Sequence, residues 1–156
     1  MTQAQVDADI EELYQTMKNY IEQEQLSTQI SITKGSGYVF VSFDNTVFFD
    51  GDSYVLRDDG KTVLDQVAKA IADVSESIDE IRVLGHTAQD DPDSPNNPRN
   101  DRFLATNRAA VVTVYLQEKT SSIRPGWSAW ATDSGAPWRT TTRRRDAPKT
   151  GVWNCW

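Results

Sequence analysis

Apolar residues recur every three or four positions over the first 26 residues of the chain, with acids and glutamines between them. This spacing is typical of an amphipathic helix, and its apolar positions are Val6, Ile10, Leu13, Met17 and Tyr20. The run extends over about two heptads, which is short for a coiled coil. It therefore fits a helix that packs on its own domain, one that pairs with a second copy, or a simple connector. We predict a linker or dimer helix over residues 1–27.

From Gln29 onwards the apolar period shortens to that of β-strands. Residues 30–32 and 38–42 alternate on either side of a glycine-rich turn, which predicts a β-hairpin. The apolar triplet at residues 47–49 is followed by Asp-Gly-Asp, and we predict a short strand there that leads into a turn.

The middle of the chain alternates helical and strand patterns. A helical spacing begins after Gly60, with acids at its start where they complement the helix dipole; its apolar positions are Leu64, Val67, Ala68, Ile71 and Val74. Residues 81–84 then predict a compact strand. Residues 88–101 are polar and contain three prolines, which predicts a surface loop.

The segment after this loop has two conflicting patterns. Residues 111–115 are rich in β-branched side chains, which are typical of a strand. The wider spacing of Leu104, Val112 and Leu116 favours a helix over residues 102–118 instead. With that helix, the elements predict an α/β domain in which a further strand follows.

Charge divides the chain into two parts. Residues 1–125 hold 11 Lys and Arg against 21 Asp and Glu, whereas residues 126–156 hold 5 against 2. All five tryptophans and the single cysteine also lie in the second part. Because affinity for nucleic acid depends on basic side chains that displace counterions, the acidic body argues against a nucleic-acid partner.

Candidate metal ligands and membrane segments are scarce in the sequence. One cysteine, Cys155, and one histidine, His86, cannot build a disulfide or a multi-ligand metal site. We therefore expect no metal and no cofactor. No apolar run approaches the length of a membrane span, and the start lacks the basic-then-apolar layout of a signal peptide.

Residues 81–116 carry a specific motif. The predicted strand ends in Gly85-His86-Thr87, and the following helix bears Leu104-Ala105-x-x-Arg108-Ala109-x-x-Val112-x-x-x-Leu116. This pairing resembles the OmpA-like peptidoglycan-binding family, and the similarity extends over about residues 38–125. The resemblance implies a two-layer α/β sandwich, a mixed sheet with two helices packed on it, preceded here by the N-terminal amphipathic helix.

Within that family, the N-terminal helix and the strand pair most resemble flagellar stator proteins of the MotB type. The resemblance implies a homodimer without enzymatic activity that binds peptidoglycan on the extracytoplasmic side of the cell membrane. It also implies a MotA-like partner and a single membrane helix in the full-length protein, preceding this segment. The alternatives are another OmpA-like wall-binding protein, such as a lipoprotein or porin tail, and an inactive product.

The resemblance also implies a ligand site for the peptide stem of peptidoglycan. Arg108 is expected to hold a carboxylate through two charge-assisted hydrogen bonds; the other candidate ligand-binding residues are Thr87, His86, Gln89, Asp101 and Asn107. Where the family has an acceptor Asp, this chain has Ala88, so Asp90, Asp91 or Asp101 would have to replace it. A hydrolase using His86 with Asp90 or Asp91 is a further alternative, but no nucleophile or metal motif accompanies the histidine.

The C-terminal segment, residues 126–156, departs from the family pattern. Read one base out of frame, with free codon choice, residues 126–138 can encode LVSMGYGQWRPV and residues 146–156 can encode GRAKNRRVELL. Both are segments that the family has at these places. We therefore predict a frameshift near Pro125, and hence a 28–125 domain that lacks its last strand, with an unpaired sheet edge and a loosely packed tail.

Overall fold

The computed structural model describes residues 2–78, 80–87, 93–94, 96–120, 127–132 and 151–155, the last two ranges as backbone only. Helices form one layer on a five-stranded sheet. In chain order the elements are α1 (Gln3–Gln23), β1 (Ile30–Gly35), β2 (Tyr38–Phe43), α2 (Asn45–Phe48), α3 (Asp58–Asp73), β3 (Ile81–His86), α4 (Pro98–Lys119), β4 (Trp127–Thr132) and β5 (Gly151–Cys155). The α/β class and the two-layer sandwich are confirmed.

The sheet is mixed, with the strand order β1-β2-β5-β3-β4. β1 and β2 are antiparallel, whereas β5 runs parallel to both β2 and β3, and β3 runs parallel to β4. Val39, Val41 and Phe43 of β2 and Ile81 and Val83 of β3 are buried and alternate with more exposed residues. One face of these strands therefore packs against the helices.

The N-terminal helix packs on the domain that follows it. Thr2 caps α1, because its hydroxyl accepts a hydrogen bond from the Gln5 amide at 3.3 Å. The apolar stripe of α1 is buried in the same core as the sheet; it consists of Val6, Ile10, Leu13, Met17 and Ile21. Of the three alternatives that the pattern left open, the structure shows packing on the chain's own domain.

The predicted hairpin is present, but the strand predicted at residues 47–49 is not. Gly35 pairs with Tyr38, so the β1–β2 loop has two residues, and Gly37 takes the positive φ of 77° that such a loop favours. Residues 45–48 form the short helix α2 instead of a strand. The Asp44 carboxylate starts it by accepting from the Thr46 amide at 2.9 Å and the Thr46 hydroxyl at 2.7 Å.

Both longer predicted helices in the body of the domain are confirmed. α3 buries the predicted stripe, and α4 resolves the conflict between strand and helix in favour of the helix. α4 begins four residues before the predicted start, because Asn97 caps it and Pro98 occupies its first turn. None of the helices in the described ranges is long and apolar enough to cross a membrane.

The prediction of a missing last strand is wrong. β5 lies between β2 and β3 and pairs with both, and β4 pairs with the other edge of β3. The ladder hydrogen bonds join backbone groups, so a short segment of adequate β-propensity can occupy the central place whatever its detailed sequence. Both strands fall within the two segments that the alternative reading frame makes family-like. The frameshift itself stays a prediction.

Candidate functional site

The candidate site begins at a close approach between β3 and α4. A Cβ atom on Gly85 would lie only 2.1 Å from the backbone oxygen of Ala105 and 3.3 Å from the Cβ of Ala109. Glycine on the strand and alanines on the helix therefore allow α4 to lie directly against the end of β3. This contact fixes the place of Arg108, one turn of helix beyond Ala105.

Arg108 is buried, with 4% of its surface exposed, and its guanidinium is held by the turn before α3. Nε donates to the backbone oxygen of Ser53 at 2.9 Å, and Nη2 donates to the backbone oxygen of Gly51. The guanidinium carbon lies 5.1 Å from the centre of the Phe49 ring, a cation–π contact. The turn is closed by the Ser53 amide, which donates to the Asp50 oxygen at 2.9 Å. Arg108 therefore clamps residues 49–53 onto α4.

This clamp uses only one edge of the guanidinium. The edge formed by Nε and Nη2 faces the two carbonyls, and within the described residues Nη1 donates no hydrogen bond. The edge formed by Nη1 and Nη2 can thus take a carboxylate in bidentate fashion. Arginine has enough donors to serve both roles, since its guanidinium carries five N–H groups.

The charge around Arg108 is set by burial and by one nearby acid. Burial lowers the pKa of Arg108, and the charge of Asp52 opposes that shift. Asp52 is exposed, and no ion pair joins it to Arg108 in the described part of the chain. Asp52 lies between Gly51 and Ser53, which both accept from Arg108, so this exposed acid belongs to the turn that Arg108 holds. The site therefore presents separate positive and negative groups.

Thr87 follows the end of β3 and is 7% exposed. Its hydroxyl oxygen is buried and has no hydrogen-bond partner among the described residues. A buried hydroxyl without a partner is destabilising, so such groups often mark places where a ligand or water supplies the missing bond. Gly85 and Thr87 are two residues apart at the end of β3, and both are buried. They therefore lie on the same face of the sheet, the one covered by helices.

His86 stands apart from this face. His86 is half-buried and follows the buried Gly85 in β3. Because neighbouring residues of a strand point to opposite faces, His86 lies on the side of the sheet away from α4. Burial lowers the pKa of His86, so the neutral imidazole is favoured. The structure therefore does not bring His86 together with Arg108 on one surface.

The other predicted site residues lie around the start and outer side of α4. The Asp101 carboxylate accepts from the Asn96 amide at 3.2 and 3.3 Å, two helical turns before Arg108. Asn107 is half-buried and lies next to Arg108 along the helix. Gln89, like Asp90 and Asp91, lies outside the described residues.

The turn residues Phe49, Gly51, Asp52 and Ser53 are the part of the site that the sequence did not reveal. They lie about 55 residues before Arg108 in the chain, and a pairing over that separation leaves no local periodicity. The one available signal was the Asp-Gly-Asp sequence, which predicted a turn but not its partner.

Comparison with known proteins shows the family of the chain and structures of similar fold. Residues 48–131 match the OmpA family. The fold is similar to the crystal structure of a MotB-like protein from Desulfovibrio vulgaris, with a TM-score of 0.65 and 16% identity over 86% of this chain and 82% of that one. It is also similar to the cell wall anchor of the T6SS from Pseudomonas aeruginosa, with a TM-score of 0.59 and 17% identity over 80% of this chain and 83% of that one. A search of curated protein sequences found no match.

Proposed function

Because the chain belongs to the OmpA family, we propose that it is a non-catalytic domain that binds the peptide stem of peptidoglycan and anchors an envelope complex to the cell wall. The observation that carries this proposal is the state of Arg108. Its guanidinium is buried and fixed through one edge, and Nη1 on the other edge donates no hydrogen bond among the described residues. A preorganised cation of this kind binds an anion without first having to be ordered.

The stem peptide offers groups that complement the site. A free carboxylate of the stem would take the Nη1–Nη2 edge of Arg108, and the hydroxyl of Thr87 would donate to or accept from a neighbouring polar group. Asp52 would accept from an ammonium group of a diamino acid. This assignment gives Asp52 the role for which Ala88 has no side-chain oxygen.

Pelleting with purified peptidoglycan tests this assignment. We expect Arg108→Lys to lose most of the binding, because an ammonium group cannot bridge two carbonyls and a carboxylate with fixed geometry. Thr87→Val should weaken binding while keeping or raising stability, since it removes a buried hydroxyl that has no partner. Asp52→Asn should also weaken binding.

The matched control is Asp73→Asn, which makes the same charge change at an exposed position at the end of α3. It should pellet as the parent does. Equal pelleting of the parent, Arg108→Lys and Asp52→Asn, with all three folded by circular dichroism, would show that this is not the binding site.

We further propose that the anchored complex is a flagellar stator, in which the domain works as a homodimer with a MotA-like partner on the extracytoplasmic side of the membrane. The similarity to a MotB-like structure supports this. The similarity to a T6SS wall anchor supports the wider alternative of another envelope complex. Co-purification of a MotA-like subunit with the full-length protein from membranes distinguishes them: wall binding without that subunit would favour the alternative.

The division of the chain into residues 1–27, 28–125 and 126–156 is likewise proposed. It rests on the changes in charge and period along the sequence and on the frameshift hypothesis. Resequencing the gene across the codon for Pro125 tests that hypothesis, and an intact frame there would refute it.

A further inference from the structure

Two Asp-Gly dipeptides in this chain have the same arginine as a neighbour but different backbones. The Asp50 carboxylate lies 3.7 Å from Arg57 Nε and is 83% exposed. The Asp59 carboxylate lies 3.7 Å from Arg57 Nη2 and is 88% exposed. Charge and solvent access are therefore matched at the two aspartates, and the glycines that follow them can be compared directly.

The backbone at Gly51 is open. A Cβ placed there would have nothing within 4 Å, and the residue lies in a turn outside any helix or strand. Within the described part of the chain its amide donates no hydrogen bond, whereas its carbonyl accepts from Arg108. Attack by the Gly51 nitrogen therefore breaks no hydrogen bond of its own amide. The rotation at Asp50 disturbs the bond from the Ser53 amide and the bonds from Arg108 to this turn, but no helix or strand.

The backbone at Gly60 is closed. Gly60 lies in the first turn of α3, and a Cβ there would lie 2.8 Å from both the Phe48 ring and the Val47 oxygen. For the backbone nitrogen of the next residue to reach the aspartyl side-chain carbon, the ψ angle of the aspartate has to leave the helical range. At Asp59 that rotation would break the start of α3 and move Gly60 against α2.

We propose that Asp50–Gly51 is a site of spontaneous isoaspartate formation, and that Asp59–Gly60 is protected by the fold. The Gly51 nitrogen attacks the Asp50 side-chain carboxyl carbon, a C–N bond forms, and one water leaves to give a cyclic succinimide. Water then adds to either carbonyl of the ring and breaks one C–N bond. Opening at the main-chain carbonyl leaves the Gly51 nitrogen bonded to the former side-chain carbonyl, which is the isoaspartyl linkage. The mass does not change, and no redox step is involved.

This modification would act on the candidate site. The isoaspartyl residue adds one carbon to the backbone of the turn that Arg108 clamps through the Gly51 and Ser53 oxygens. The two carbonyls then lose their spacing relative to the guanidinium. The loss of wall binding rests on the proposed function, whereas the chemical step does not.

The test is peptide mapping of the folded protein after prolonged incubation at neutral pH and physiological temperature. We expect a peptide containing residue 50 that changes elution at constant mass and accepts a methyl group from a protein-isoaspartate methyltransferase, with no such change at residue 59. In urea both dipeptides should react alike, because only the fold distinguishes them. An Asp50→Glu variant should show neither signal at residue 50.

Two results would overturn the proposal: no isoaspartate at residue 50 in the folded protein, or equal accumulation at residues 50 and 59. The aged and unaged fractions are then compared by pelleting with peptidoglycan. If isoaspartate forms but the unaged protein does not pellet, the proposed function fails and the modification stands.

Discussion

Two of the basic side chains that lie over aromatic rings, Lys34 and Arg108, belong to different regions of the molecule and differ mainly in burial. Lys34 joins the hairpin to α1: its ammonium lies 4.9 Å from the centre of the Tyr14 ring and pairs with Glu11. Arg108 joins α4 to the turn before α3, with its guanidinium 5.1 Å from the centre of the Phe49 ring. The Lys34 side chain is 40% exposed, whereas Arg108 is 4% exposed.

This difference in burial decides what each contact contributes. Water can replace the partners of an exposed pair, so breaking that pair changes stability little. The carbonyls that Arg108 binds belong to the protein backbone, and removal of the guanidinium would leave them without their donor. We therefore expect the Arg108 region to control stability and binding, and the Lys34 region to tolerate change.

Replacing Arg108 is expected to have the largest effect. Arg108→Met keeps an unbranched apolar stem but removes the guanidinium and both hydrogen bonds to the turn, and it should lower the free energy of unfolding by about 1–3 kcal/mol. Urea denaturation followed by circular dichroism measures this. Arg99→Met is the matched control, because Arg99 is an exposed residue of the same helix that lies 5.8 Å from the Phe103 ring; it should change stability by less than about 0.5 kcal/mol. Equal losses in the two variants would remove the contrast between buried and exposed cations.

A second substitution, Gly85→Ala, tests the position of α4 without removing the guanidinium of Arg108. Gly85→Ala leaves Arg108 intact but forces a methyl group against the Ala105 oxygen, 2.1 Å away, which lies in backbone and cannot rotate aside. We expect a loss of about 1–3 kcal/mol by the same measurement, as for other overpacked sites. Gly51→Ala, at a glycine with open space around it, should stay within about 0.5 kcal/mol. A neutral Gly85→Ala would mean that α4 does not need this close approach.

The parts of the fold that local pattern controls were predictable from sequence. The apolar stripes of α1 and α3, the hairpin and the long spacing in α4 each follow from a period that a single segment displays. The prediction of a strand at residues 47–49 is wrong. Asp44 caps a short helix there, and that helix contains two of the three apolar residues.

The parts that depend on distant pairing were not predictable. The sequence predicts Arg108 as the main ligand-binding residue, but the carbonyls of Gly51 and Ser53 that accept from it lie in another region of the chain. β5 was missed for a related reason, since its place between β2 and β3 is set by backbone pairing with two distant strands. The sequence therefore predicts Arg108 as a candidate binding residue but does not predict the turn that fixes its guanidinium.

A smaller effect is expected from pH, and it concerns the face of the sheet away from α4. Burial lowers the pKa of His86 in the folded protein, so the unfolded chain takes up a proton first as the pH falls past its ordinary value of about 6.5. Stability contributed by the neutral imidazole is therefore full above that value and declines as the pH falls towards the folded pKa. His86 is the only histidine in the chain, and we expect the unfolding midpoint of His86→Gln to vary less between about pH 7.5 and 5.5 than that of the parent. Equal slopes would mean that the imidazole is as well solvated in the folded state as in the unfolded one.

The smallest effect is expected at the exposed cation itself. Lys34→Gln removes the pair with Glu11 and the contact with the Tyr14 ring, but Glu11 keeps a hydrogen bond from the Gln15 side chain at 2.9 Å. Both partners of the lost pair are in contact with water, so we expect an unfolding midpoint that matches the parent within measurement error. Raising the salt concentration should reduce any remaining difference, because mobile ions screen exposed charges. A loss comparable with that of Arg108→Met would show that α1 is held to the hairpin by this cation, and burial would then not be what separates the two regions.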